Sequence, residues 1–390
     1  LTTYIVPINY DKETNLEQLV TTYLKSNGQH GLTVKDCLHL LTTLRLRDFI
    51  ETGFMFKMIM EVLPELQKEE FQKGGGRISK QEIYLRYINH YQRNQLDKLN
   101  EEQRLQVYEN IRFLLRQEQI SVEKKSAAKY LDLKALNNAL LELGKYISVQ
   151  LHLQGSFRLD QDCLLFQAMD YDKSIPFKKQ SLASILKLLP MKIEIKSSKQ
   201  AVEDKKNLET LMPLKSLRQD VKIGFLHDTI KNCFLLQSIK DEFRNSNSTS
   251  KILSAKRVVE DAELVRFIAD AAKHDTSLKK SLRLAIDVTK TDKSDFAAIG
   301  AANAITILVA AGYCFDGQDL SNVNISGANL RNGWFREADF TNADLKYSNL
   351  SNIEASRAKA IKTDLRNVDL GILPDLLGHT DYVRSVCFSG

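Results

Sequence analysis

Residues able to do chemistry are thinly spread along this chain. The five cysteines, Cys37, Cys163, Cys233, Cys314 and Cys387, lie far apart, odd in number and without a CxxC pair. That spacing argues for reduced thiols in a cytosolic setting, and against a disulfide framework or a zinc knuckle. The seven histidines form no HExxH. One glycine cluster stands near a lysine, "KGGGRISK" at 73–80. It lacks the G-x-x-x-x-G-K-(S/T) spacing that wraps backbone N–H groups around phosphates and sets a hydroxyl on Mg²⁺. No apolar run ends in paired acids that could hold a metal. The chain is therefore expected not to be an enzyme in its own right, with no catalytic and no metal site. A stretch from strand to helix, "GFLHDTIKNCFLL", carries His227 at its junction.

Composition sets the frame for these residues. At 390 residues the chain has room for two or three domains. It is 43% hydrophobic and 27% charged, with a net charge of +6. That charge is too small to demand nucleic acid. The basic stretches "LKLLPMKIEIKSSKQ" (186–200) and "QKGGGRISK" interleave no aromatics with their cations and read as solvated surface. No signal peptide stands at the N-terminus, and "AANAITILVAAGYCF" (301–315) is too short and interrupted to span a bilayer. The expectation is a cytoplasmic protein without membrane contact. The first residue is Leu1, and Gly390 falls within an apolar pattern, so an internal piece of a longer protein is expected.

The strongest pattern has a period of five. Large apolar residues recur at Leu320, Ile325, Leu330, Phe335, Phe340, Leu345, Leu350, Leu365 and Leu370, with Ala355 and Ala360 in the same register. Two places earlier the residues are mostly small, as Ala328, Gly333, Ala338 and Ala343. One place earlier stand Asp or Asn, as Asp319, Asn324, Asn329, Asp339 and Asp344. Neither a helix nor a flat strand repeats every five residues. A short extended edge followed by a turn does, with Asp and Asn bonding the turn's backbone. Four edges close a square of twenty residues, and coils stacked about 4.8 Å apart pair their backbones.

The stretch 318–372 resembles the pentapeptide-repeat family, whose motif is A-(D/N)-L-x-x. The resemblance implies a right-handed quadrilateral β-helix. Acidic and basic residues balance between 318 and 372, which argues against the strongly acidic surface of DNA-mimicking relatives. Ala355 and Ala360 predict looser packing in their coil. After Pro374, "LLGHTDYVRSVCFSG" resembles the opening strand of a WD-repeat propeller.

Upstream segments read as helices. "RDFIETGFMFKMIMEVLPEL" (47–66) reads as one apolar helix ended by Pro64. The helix after the glycine run starts at a Ser79–Glu82 capping box and buries Ile83, Tyr87, Ile88 and Tyr91. Leu133, Leu136, Leu140, Leu143, Ile147 and Leu151 form another stripe. "ELVRFIADAAKHDTSLKKSLRLAIDVTKTD" reads as one helix with Leu264, Phe267, Ile268 and Ala271 on a face. A final helix starts at Ser294 or Asp295, ends at Gly312 and covers the end of the coil.

Taken in order, "ETGFMFKMIMEVLPEL", the Tyr-rich helix and "FLHDTIKNCFLLQSI" resemble the helical and winged-helix lobes of NACHT-type signalling NTPases. The fold expected is α+β multidomain: a mostly α-helical, winged-helix-like first two thirds, then the β-helix, then a truncated propeller strand. Its segments are a helical lobe at 1–66, a winged-helix-like region at 67–245, a helical spacer and cap at 246–313, the repeats at 314–373 and the propeller start at 374–390. The resemblance implies that His227 approaches the β-phosphate of bound ADP. It further implies ATP or ADP bound by the full-length protein only, protein partners met through the repeats, and a nucleotide-dependent homo-oligomer. Where that family carries an adenine-packing proline, this chain has Gly53. The function this resemblance implies is a regulatory or sensor segment of such an NTPase, coupling nucleotide state to partner recognition through the repeat modules; the alternative is a non-enzymatic protein-binding scaffold built from pentapeptide and WD repeats, and a winged-helix DNA binder is a third class.

Overall fold

The computed structural model describes residues 13–27, 31–50, 52–73, 78–117, 133–154, 157–158, 185–195, 221–246 and 250–371. The chain divides into two compact units, Leu1–Asp241 and Glu242–Gly390. Among the described residues no helix is long and apolar enough to cross a membrane.

The first unit is built from helices α1 (Glu13–Asn27), α2 (Val34–Thr43), α3 (Gly53–Lys73), α4 (Lys80–Leu96), α5 (Glu101–Gln117) and α6 (Leu133–Gln154). Strands β1 (Phe157–Arg158), β2 (Met191–Ile195) and β3 (Val221–Phe225) form an antiparallel sheet in the order β1-β3-β2. Helix α7 (Asp228–Ser246) follows β3 after a two-residue step.

Two local expectations are corrected here. Pro64 does not end α3, which continues to Lys73, while residues 46–49 form a separate 3₁₀ turn. A proline inside a helix removes one backbone donor, and the buried Met58, Ile59, Val62, Leu63 and Leu66 outweigh that loss. At α4 only half of the capping box forms. The Ser79 hydroxyl accepts the Glu82 N–H, but the Glu82 carboxylate turns to Arg86 at 2.6 Å. On α6 the middle of the stripe is buried, whereas Leu133 is exposed. Gly144 lets α7 come close: a Cβ there would lie 2.5 Å from the Phe234 ring.

The second unit begins with α8 (Lys251–Ala255), α9 (Ala262–His274), α10 (Thr276–Val288) and α11 (Asp295–Ala310). The single helix expected across 263–292 is two. Asp275 takes extended backbone angles, ends α9, and accepts the Leu278 N–H to start α10. Its short carboxylate competes with helix continuation, which is why Asp favours caps over interiors. Ser294 caps α11, as its position suggests.

From Cys314 onward the chain coils. Parallel bridges join residues twenty apart, Cys314 to Trp334, Asp319 to Asp339, Asn324 to Asp344 and Asn329 to Asn349, and then each of those to the next coil. The N–H of each large residue donates to the carbonyl nineteen places on, as Leu320 to Asp339 at 2.8 Å and Ile325 to Asp344 at 3.0 Å. Leu320, Ile325, Leu330, Phe335, Phe340, Leu345 and Leu350 are buried, with Ala328, Ala338, Ala343 and Ser348 beside them. Phe315 and Phe335 stack at 5.1 Å. The Asp and Asn residues work as their chemistry suggests: Asp319, Asn324, Asn329 and Asp339 each accept the N–H two residues on.

The expectation that every large position points into a filled interior needs correction in the last coil. Leu365 and Leu370 are 43% and 50% exposed. A coil's interior residues are covered by the coils on both sides, and among the described residues no coil follows this one. The propeller strand expected at 374–390 lies outside the described residues.

Candidate functional site

Two places are candidates for a functional site. The first lies where β3 hands over to α7. Helix α3 begins at Gly53, with the Thr52 hydroxyl accepting the Met55 N–H at 3.2 Å. The His227 ring stacks on Phe54, centroids 4.8 Å apart and planes 7° from parallel. His227 Nδ1 lies 2.7 Å from the Thr229 hydroxyl and accepts the Thr229 N–H at 3.3 Å. With Nδ1 facing Thr229, Nε2 is the ring nitrogen left for a ligand. Gly53 leaves open space where a side chain would stand. His227 and Phe54 are 173 positions apart in the sequence (227 − 54), and the fold puts them in contact.

The ring row continues. Phe54 meets Tyr87 edge-on at 6.1 Å, and Tyr87 meets Tyr91 at 6.3 Å. On the α1 side, Tyr23 meets Phe56 edge-on at 5.9 Å. Glu61, two turns along α3 from Phe54, acts on all three phenols. Burial first and the Glu61 charge second push Tyr23 up to about 12, and the same two causes raise Tyr87 and Tyr91. Sequence reasoning read Tyr87 and Tyr91 as a buried stripe and missed Glu61. The available signal was the carboxylate at an i+7 step from Phe54, on the same helical face.

The second place is the outer surface of the repeats. Trp334 is 57% exposed and Tyr347 is 68% exposed. Around them, charges pair along the coil axis, Arg336 with Asp316 at 2.7 Å and Arg357 with Glu337 at 3.5 Å. Cys314 is exposed and free, while Cys37 and Cys233 are buried; burial pushes Cys37 up to about 11 and Cys233 up to about 12.

The family described as "Pentapeptide repeats (8 copies)" matches residues 335–371. No curated protein and no solved structure matches the chain. No NACHT or WD-repeat family is matched, so the resemblance that gave His227 its nucleotide role and the chain its propeller has no support from these comparisons. Pentapeptide repeats near the C-terminus, after a mostly helical region, are what this chain contains.

Proposed function

We propose that this chain is a protein-binding scaffold whose repeat coil, a right-handed four-sided β-helix, presents its outer face to a partner protein. The observation that carries the reading is the pair of exposed aromatics, Trp334 and Tyr347. Trp334 takes the register position that Asp, Asn or Glu fills in most other units, as at Asp319, Asp339 and Glu354. Tyr347 takes a corner with φ of 59°, where Gly327 and Asn367 stand in the neighbouring coils. Local chemistry favours neither residue at those places, and tryptophan and tyrosine are the types that dominate binding hot spots. The repeats themselves supply no catalytic cluster, so the role proposed is non-enzymatic.

The test compares the intact chain with Trp334→Ser and Tyr347→Asn as affinity baits, identifying bound proteins by mass spectrometry. A partner held by the intact chain and lost from both variants, with neither variant's thermal midpoint lowered, is the expected result. An identical set of bound proteins in all three would end the proposal.

The stacking of His227 on Phe54 favours a second reading for a full-length protein carrying a nucleotide core. The His227 Nε2–H would donate to a phosphate oxygen of bound ADP, and the open space at Gly53 leaves room beside it. There His227→Ala should speed ADP release; an unchanged release rate counts against this role.

A further inference from the structure

One edge of the square coil departs from the other three. Along those three, the place before the large residue is Asp or Asn at eight of nine positions, with Lys359 the exception. Each of the eight accepts the N–H two residues on, as Asp344 does from Lys346 at 3.1 Å and Asp369 from Gly371 at 2.8 Å. On the fourth edge the same place holds Cys314, Trp334 and Glu354. Among the described residues none of these three accepts that N–H; the Arg336 N–H goes instead to Asp316, at 2.9 Å. Asp and Asn are what the local turn favours. Three successive coils therefore forgo a stabilising bond, and they do so on one edge. All three residues are exposed.

The ladder fixes how the three stand to one another. Cys314 bridges to Trp334 and Trp334 to Glu354, on parallel rungs about 4.8 Å apart. The Trp334 carbonyl accepts from the Phe315 N–H at 2.9 Å, and the Glu354 carbonyl from the Phe335 N–H at 2.7 Å. Phe315 and Phe335, the next residues along, stack in the interior and hold the edge from within. Cys314 on one side is small, and the indole stays exposed beside it. Glu354 on the other side accepts the Ser356 hydroxyl at 2.6 Å, and among the described residues it makes no ion pair. The arginines of this surface reach back one coil, Arg336 to Asp316 at 2.7 Å and Arg357 to Glu337 at 3.5 Å. Twenty places after Glu354 stands Pro374, which carries no charge.

An exposed indole face attracts a cation, and a carboxylate one rung away attracts the same cation. An anionic group would be repelled by Glu354, and an aliphatic one would cover the carboxylate without pairing it, which is costly. Among cations a guanidinium meets both demands. Its plane stacks on the ring while its fork of N–H donors reaches the carboxylate. We propose that Trp334 and Glu354 form a seat for an arginine side chain of a partner protein, with the edge Cys314–Trp334–Glu354 as the docking face of the coil. The seat presupposes the scaffold role proposed above and specifies what the partner brings to it.

Trp334 is the one tryptophan of the chain, so its fluorescence reports on the seat directly. The experiment titrates the full chain with N-acetyl-arginine N-methylamide at constant ionic strength. The citrulline counterpart, of the same shape and uncharged, and the lysine counterpart are the comparison probes. The arginine probe should give a saturable change and the citrulline probe none. The lysine probe should bind about threefold more weakly, since it lacks the planar fork. Glu354→Gln should weaken the arginine probe about fivefold, the upper scale of an exposed ion pair. Glu337→Gln removes an acid from the neighbouring column and should leave the affinity as it is. Glu354 is exposed, so its substitution keeps the fold, and an unlowered thermal midpoint checks this. The absence of a saturable change with the arginine probe overturns the proposal, as does an equal change with the citrulline probe. Lysine binding as tightly as arginine, or affinity unmoved by Glu354→Gln, overturns it too. Used as affinity baits, the variants separate this seat from the scaffold role. A partner lost from Trp334→Ser but kept by Glu354→Gln overturns the arginine seat and leaves the scaffold role standing. A partner kept by both ends the two together.

Discussion

The hydroxyl of Thr306 accepts the backbone N–H of Asn329 at 2.9 Å, in the place where later coils supply a carbonyl. One coil further on, the matching N–H of Asn349 donates to the Ala328 carbonyl. Thr289 does the same service for Asn324 at 3.0 Å. The first coil has no coil before it, so two buried hydroxyls from the helices stand in for the missing backbone. On the neighbouring carbonyls cations play the converse part: Arg257 donates to Ser326 at 2.8 Å and Lys293 to Asn322 at 2.6 Å. Thr306→Val keeps the shape and removes the acceptor. It should cost about 1–3 kcal/mol, the range for stranding a buried donor. Denaturant midpoints measure the loss, and faster amide exchange at Asn329 locates it. A midpoint shift without faster exchange at Asn329 would place the effect elsewhere.

Burial differs sharply between equivalent positions of successive coils. Leu345 is 3% exposed and Leu365, its counterpart one coil on, is 43% exposed. Leu345→Ala should therefore cost about 2–5 kcal/mol, as for leucines in well-packed cores. Leu365→Ala should cost under about 1 kcal/mol, since most of its removed surface is already wet. Lys346→Ala should change little, because its pairs with Asp344 and Asp364 lie at the surface. Equal losses at Leu345 and Leu365 would mean that the last coil is covered in solution.

What could be read from the sequence follows from how local each cause is. The five-residue register was legible because every residue of a unit acts on its own turn: Asp339 on Thr341, Leu330 into the interior, the small Ala338 beside Phe340. Exposure of Leu365 and Leu370 was not legible, because it depends on whether another coil follows. The split at Asp275 was available, since Asp-Thr-Ser after an amphipathic run is a cap signature, but the apolar periodicity runs through it. Pro64 misled in the opposite direction, because the contacts holding α3 together past it come from other helices. The strand–helix junction at His227 is legible in the sequence, yet its contact with Phe54 joins distant segments that only the fold brings together. The charge of Glu61 on α3 acts on Tyr23 of α1 and on Tyr87 and Tyr91 of α4, and no spacing rule joins residues from separate helices.

Corner geometry makes a stabilising prediction. Every fifth residue of the coil takes a left-handed backbone, among them Asn322, Asn332, Glu337, Asn342 and Tyr347. Side chains other than glycine and asparagine pay roughly 1–2 kcal/mol there. Tyr347→Asn should raise the thermal midpoint by an amount corresponding to about 0.5–1 kcal/mol. If the midpoint falls instead, the Tyr347 ring holds the coil together and is not an unpaired surface group kept for a partner.

Thiol chemistry separates the cysteines by burial. Cys314 is exposed, whereas Cys37 and Cys233 are buried and held in the neutral thiol form by that burial. Thiolate is the reacting species. Peptide mapping after brief iodoacetamide treatment at pH 8 should find Cys314 modified and Cys37 and Cys233 protected. Modification of Cys233 at the rate of Cys314 would show that α7 opens readily from the helices around it.

Acid should loosen the coil by titrating its turn carboxylates. Asp364 is held down from its ordinary 3.8 to about 2, first by its hydrogen bond with Arg366. Asp319 is lowered further, first by the Ser321 hydrogen bond and then by Lys290 at 3.0 Å. A carboxylate with a depressed folded value binds its proton more readily when unfolded. Its contribution is therefore fully present above pH 3.8, declines as pH falls below that, and is gone once the folded value is passed. Stability measured from pH 5 down to pH 2 should stay nearly flat to about pH 3.8 and fall below it. Asp319→Asn keeps an acceptor for the Ser321 N–H but cannot titrate, so its stability should depend less steeply on pH over the same range. A slope identical to that of the unaltered chain would remove Asp319 as a source of the acid sensitivity and leave the Asp364–Arg366 turn to account for it.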